Sequence, residues 1–159
     1  MDADALLSEW LTRARRIQTA HYEAAASLDR LQYLVGLPLV MLSTLVGTSI
    51  FATLEANPNF WVKVGVALAS VLAAILAAIQ TFLRLAERSE KHKMAGVRYG
   101  SFKREIEQTS VFPPQAVDEL KKFIDGLRIR WDKLVEESPT IPKGVWNRVG
   151  THEPSPART

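Results

Sequence analysis

The one dense grouping of acids with a histidine is Glu87, Glu90 and His92. Carboxylates and imidazoles at such spacing can hold a metal ion or exchange protons, provided that they share a face. On a helix Glu87 and Glu90 lie one turn apart, but His92 points about 160° away from Glu90, so the three do not converge on one ion. A solvated helix with interleaved charges is the expected state of this stretch. The other histidines, His21 and His152, are distant in sequence, and no HExxH arrangement exists. The chain has no cysteine, which removes thiolate ligands, disulfides and cysteine nucleophiles. No nucleophile and base can be paired from sequence, and there is no P-loop or GxGxxG, so neither an enzyme nor a cofactor is expected. His21 reads either as a pH-sensitive or ligand-binding residue or as a polar insert that sets helix register; we favour the second.

More suggestive are polar groups in apolar surroundings. Ser43, Thr44, Thr48 and Ser49 interrupt one long uncharged run, and Gln80 and Thr81 interrupt another. Thr44 and Thr48 are one turn apart, a spacing that can line an aqueous path, with Gln80 a further candidate lining residue. Hydrogen bonding to backbone or to a neighbouring helix accounts for the same residues. Ser43 and Gly47 form a small-xxx-small pair, and Gly65, Ala69, Ala73 and Ala77 make a smooth ladder that permits close helix contact. No charge lies in either run, which disfavours a proton relay or charge-driven transport.

These residues sit in two segments of membrane-spanning length. Gln32 to Leu54 is uncharged for 23 residues and Val64 to Leu83 for 20, matching a hydrocarbon core of roughly 30 Å at about 1.5 Å per residue. A soluble chain this short could not bury two helices on all sides. The connection between them is short, with Asn57 and Pro58 supplying a turn, Phe60 and Trp61 at the level of an interfacial aromatic belt and Tyr33 at the other face. Met1 to Arg30 is charged and helical in pattern, so the first span reads as an uncleaved anchor. Lys63 is the only basic residue in the short loop, whereas Arg13, Arg15, Arg16 and Arg30 precede the first span and Arg84, Arg88, Lys91, Lys93 and Arg98 follow the second. The positive-inside rule therefore predicts a hairpin with both termini in the cytoplasm. Arg84, Arg88, Lys91 and Lys93 are also placed to contact anionic lipid head groups. The net charge of +3 gives no indication of nucleic-acid binding.

Outside the spans the pattern is heptad-like. Leu7, Trp10, Ala14, Ile17, His21, Ala24, Leu28 and Leu31 form one seam that predicts a helix running into the first span, kinked near Pro38. A second helix is expected to continue from Arg84 to about Gln108, until Pro113 and Pro114 break it. A third follows to Glu137 with Val117, Leu120, Ile124, Leu127, Trp131 and Leu134 as its seam, weakened modestly by Gly126. Ile141 to Trp146 reads as extended, returning Trp146 to the bundle, and Gly150 to Thr159 as disordered. The reading is an all-α membrane protein: a two-helix transmembrane hairpin with long cytoplasmic helices forming a bundle. A single domain over 4–137 comprises a cytoplasmic helix (4–30), two transmembrane helices (31–54 and 62–83), a cytoplasmic extension (84–110) and a last helix (114–137), with 138–159 as a C-terminal segment.

The order of several short motifs resembles a known family. They are Trp10 in the first helix, Gln18-Thr-Ala-His-Tyr22, Leu37-Pro38, Val46-Gly-Thr48, Leu76-Ala-Ala-Ile-Gln-Thr-Phe82, Ala86-Glu87, His92, Arg98-Tyr99-Gly100 and Glu105-Ile-Glu107. Across roughly Leu6 to Trp146 this is similar to the SLATT domains, two-transmembrane proteins associated with SMODS nucleotidyltransferases and SLOG nucleotide-sensing domains in bacteria. The resemblance implies a pore-forming effector of nucleotide-signalled anti-phage defence in the inner membrane, with any sensor a separate cytoplasmic protein. The expected assembly is a homo-oligomer, tetrameric or larger, gated by dewetting at Phe51 or Leu76. The alternative is a non-conducting anchor that recruits a cytoplasmic partner. Expected partners are the lipid bilayer, further copies of the chain and such a sensor.

Overall fold

A computed structural model describes residues 3–54 and 59–151, and these fold into five α-helices with no strand among them. They are α1 (Ala3–Leu54), α2 (Phe60–Leu83), α3 (Leu85–Val111), α4 (Val117–Glu137) and α5 (Lys143–Thr151). The expected turn at Asn57 and Pro58 lies outside the described residues, as does 152–159 of the stretch Gly150 to Thr159 for which disorder is expected; its first two residues, Gly150 and Thr151, instead end α5. Two stretches, one within α1 and one beginning with α2, are long and apolar enough to cross a membrane.

The helix boundaries have local causes. α1 continues through Pro38, which deletes one backbone donor without ending the helix. The sequence reading starts a continuous extension at Arg84; instead Arg84 takes a left-handed conformation (φ 44°, ψ 46°) that ends α2 before α3 begins. It is the only non-glycine residue with positive φ among those described. Such a residue closes a helix by turning its last carbonyls away from the axis, a role glycine fills at lower cost. Pro113 and Pro114 separate α3 from α4 as expected. A correction falls on the segment Ile141 to Trp146: of it only Ile141 and Pro142 stay outside a helix, and the Pro142 carbonyl accepts from the amides of Val145 (3.0 Å) and Trp146 (3.1 Å) to start α5. Proline fits here because the first residues of a helix have no intrahelical acceptor for their N–H groups.

The chain divides into two units. The first comprises 1–26 and 89–159. One core joins Leu7, Ala14, Phe102, Ile106 and Leu127, with Trp10, Phe123, Ile124, Trp131 and Leu134 packed around it. Another joins Ala20, Ala24, Val145 and Val149, covered by Ile141 and Trp146, so Trp146 does return to the bundle. The α1 seam is buried or half-buried through Leu28, and Leu31 is exposed; the α4 seam holds from Leu120 to Leu134, whereas Val117 is exposed. Ion pairs line the outside, Arg98 to Glu137 and Arg130 to Glu105 among them.

The second unit, 27–88, contains the apolar parts of α1 and α2. Ala73 and Leu85 are its only buried hydrophobic residues among those described, while Leu34, Val40, Met41, Leu68 and Phe82 are exposed. A surface of that kind is unstable in water and stable against lipid or other copies of itself.

Candidate functional site

In the second unit five hydroxyls of the apolar helices are tied to their own helix. Thr44 Oγ1 donates to the Val40 carbonyl (2.9 Å), Thr48 Oγ1 to that of Thr44 (3.0 Å) and Ser49 Oγ to that of Leu45 (2.7 Å). On α2, Ser70 Oγ donates to the Val66 carbonyl and Thr81 Oγ1 to that of Ala77. This removes the cost of carrying an O–H through hydrocarbon and leaves the oxygen lone pairs on the helix surface. Thr44, Thr48 and Ser43 are exposed; Leu76 and Gln80 are half-buried. Gln80 lies against Gly36, where an added Cβ would be 3.5 Å from its amide nitrogen. Of the small-residue positions, Ala73 is buried and Ala69 and Ala77 half-buried, whereas a Cβ added at Gly47 or Gly65 would meet nothing within 4 Å. The side chain of Phe51 lies outside the described residues. Among the basic residues proposed for lipid contact, Arg84 pairs with Glu87 at 3.5 Å. Lys91 and Lys93 also have partners in the fold, and Arg84, Arg88 and Lys91 remain exposed.

The first unit brings together residues that sequence reasoning kept apart. α1 and α3 run antiparallel here, because partners rise along α1 as they fall along α3. Gln18 lies over Gly100, Tyr22 lies over Gly96, and Ser89 Oγ donates to the Ala25 carbonyl (3.2 Å). A Cβ at Gly96 would come within 3.0 Å of the Tyr22 ring, and one at Gly100 would overlap the Gln18 amide. The two glycines are therefore the recesses that receive Tyr22 and Gln18.

Between these contacts His21 and His92 meet, Nδ1 to Nδ1 at 3.0 Å. They are 1% and 5% exposed, so the pair sits in a medium that penalises charge. His21 stacks on Tyr99, with centroids 5.6 Å apart and planes 19° from parallel. Burial first, and the adjacent His92 second, lower the His21 pKa from 6.5 to about 4. Burial also pushes the Tyr99 phenol upward, partly opposed by its hydrogen bond with the Ser138 side chain. Tyr99 meets Trp131 edge-on at 5.8 Å. An open cleft of about 330 Å³ reaches His21, lined also by Tyr99, Val135, Ser138, Thr140 and Trp146 among others.

The ring geometry distinguishes a shared proton from a shared metal. An imidazole nitrogen lies about 1.15 Å from its ring centroid, so nitrogens meeting head-on at 3.0 Å place the centroids about 5.3 Å apart. Two nitrogens on one zinc ion at about 2.0–2.1 Å would, at the same separation, bring the centroids to about 4.7 Å. The observed value is 5.2 Å, so the lone pairs point at each other and not at a common third point. No group of three or more metal-ligating side chains occurs among the described residues. The arrangement is that of an N–H···N hydrogen bond, in which one ring carries the Nδ1 proton and the other accepts it.

Sequence reading placed His21 on the seam and His92 in a solvated charged helix; the second placement is corrected, since His92 is buried. The available signal was the turn-by-turn spacing of His92, Gly96 and Gly100, which face His21, Tyr22 and Gln18. Comparison with known families, with curated proteins and with solved structures finds no match to this chain.

Proposed function

We propose that the chain is an oligomeric membrane pore or ion channel, its two apolar helices forming a hairpin with both termini in the cytoplasm. The observation that carries this reading is the open state of Gly47 and Gly65, on helices whose large apolar side chains are exposed. Such positions admit the close approach of another helix, and two helices cannot enclose water by themselves. Other copies of the chain supply both the missing contacts and the missing walls. The exposed Thr44 and Thr48 then offer oxygen lone pairs one turn apart to a wet path, with Leu76 or Phe51 as a dewetting constriction and Gln80 deeper in the pair. The motif resemblance to SLATT domains supplies the biological role, an inner-membrane effector of nucleotide-signalled anti-phage defence that responds to a separate cytoplasmic sensor.

One observation favours a second reading, a non-conducting anchor that recruits a partner through the helical bundle. Thr44, Thr48 and Ser49 each donate to their own helix, which is all that a lipid-facing residue requires. The mass of the particle in nanodiscs is the first test. A tetramer or larger ring keeps the pore reading, and a monomer or dimer at all concentrations leaves the anchor. In a ring, the Thr44→Leu and Thr48→Leu double variant should lower ion flux in liposomes at least tenfold while preserving the particle mass. Unchanged flux would remove these residues from the path.

A further inference from the structure

We infer that the His21–His92 pair is a proton-operated latch on the crossing of α1 and α3, closed by the single proton held between its Nδ1 atoms and opened by a second. This inference does not depend on the pore reading. Head-on nitrogens 3.0 Å apart have room for one hydrogen; with a proton on each, two N–H groups would point at one another and the rings would have to separate. The crossing cannot supply that movement by a small adjustment. Tyr22 fills the recess at Gly96, Gln18 fills that at Gly100, and Ser89 is bonded to the Ala25 carbonyl. The second proton therefore acts on the helix contact as a whole.

The surroundings of His21 agree. The titratable groups that face it are His92 and Tyr99 of α3; α4 contributes Val135, and the segment beyond it contributes Ser138, Ile141 and Trp146. The charged residues closest along the chain in the same unit are Arg16 and Glu23 on α1 and Glu90, Lys91 and Lys93 on α3. Glu23, Lys91 and Lys93 have partners in the fold, as does His92 beyond His21. The loss of proton affinity at His21 comes from burial and from His92, not from these charges. The cleft beside His21 gives protons from water a route to the ring. The sign follows from linkage. The folded pKa lies below the unfolded 6.5, so the fold's preference for neutral His21 is fully present above pH 6.5 and is lost as pH falls toward about 4.

The test uses the full chain in nanodiscs with ¹⁵N-labelled histidine and His152→Gln, which leaves two imidazoles to observe. Nitrogen chemical shifts should show one Nδ1 protonated and the other accepting at pH 7, and His21 taking its own Nδ1 proton only well below pH 6.5. Amide exchange in 18–25 and 89–100, corrected for intrinsic rates, should accelerate by about tenfold per pH unit from 6.5 toward 4. The His21→Gln and His92→Gln double variant should lose that slope and keep only the shallower one due to carboxylates. Two imidazoles titrating independently near 6.5, or an unchanged slope in the double variant, would overturn the latch. So would slower exchange on adding zinc, which would make the pair a metal site. If the double variant does not fold, the nitrogen shifts of the chain with both histidines in place decide the matter.

Discussion

The α1–α3 contact of the first unit and the apolar helices of the second use small residues differently. In the first, Gly96 and Gly100 are recesses already filled by Tyr22 and Gln18, and Ala14, Ala20, Ala24 and Ala25 are buried, although Gly126 and Gly144 elsewhere in that unit stand open. In the second, Gly36 lies against Gln80, but a Cβ added at Gly47 or Gly65 would meet nothing within 4 Å, and most of the large apolar side chains described are exposed. The same residue types thus mark a completed contact in one region and an open one in the other. A glycine on a helix leaves room for a close neighbour; it does not record whether one comes, or from which chain.

Paired substitutions sharpen the contrast. The largest difference is expected between Leu127→Ala and Leu72→Ala. Leu127 is fully buried in the core of the first unit, so its truncation should cost about 2–5 kcal/mol. Leu72 is 48% exposed, and its truncation should leave the melting of that unit unchanged to within about 0.5 kcal/mol. Thermal unfolding followed by tryptophan fluorescence, with Trp61→Phe so that only Trp10, Trp131 and Trp146 of the first unit report, measures both; equal costs would break the distinction.

Glycine replacements come next. Gly96→Leu and Gly65→Leu gain the same helix propensity, so their difference isolates the contact each makes. Gly96→Leu must displace the Tyr22 ring and should destabilise the first unit by about 1–3 kcal/mol. Gly65→Leu should leave that unit's unfolding alone and, if this face receives another copy, reduce the particle mass seen by native mass spectrometry. The smallest effect belongs to the ion pairs. Arg130→Ala breaks an exposed pair with Glu105 and should cost less than about 1 kcal/mol, a loss that 0.5 M salt largely masks.

Much of the architecture was legible because its signals are one-dimensional. Uncharged runs of 23 and 20 residues announce apolar helices, since no other backbone satisfies itself in hydrocarbon. The spacing from Leu7 to Leu28 announces a helix with one buried face, and Pro113 and Pro114 announce its partner's end. Misreadings arose where a local cue pointed two ways. Pro142 was read as extending the chain, yet proline also opens helices, and Val145, Trp146 and Val149 had a core to reach. Arg84 gave no glycine-like warning that it would take a left-handed turn.

The candidate site divides in the same manner. Sequence alone determined that His21 lies on an apolar seam and that three histidines are the only side chains able to titrate near neutrality without a shifted pKa. It could not determine that residues 71 positions apart share one proton. That needed the register of α1 against α3, which depends on Tyr22 fitting Gly96, Gln18 fitting Gly100 and the cores around Leu127 and Val145 closing together. Helical periodicity follows from neighbours along the chain and can be read there. Register between helices follows from the shapes of surfaces that meet only after folding, so only the tertiary structure could turn two unremarkable histidines into a buried, proton-sharing pair.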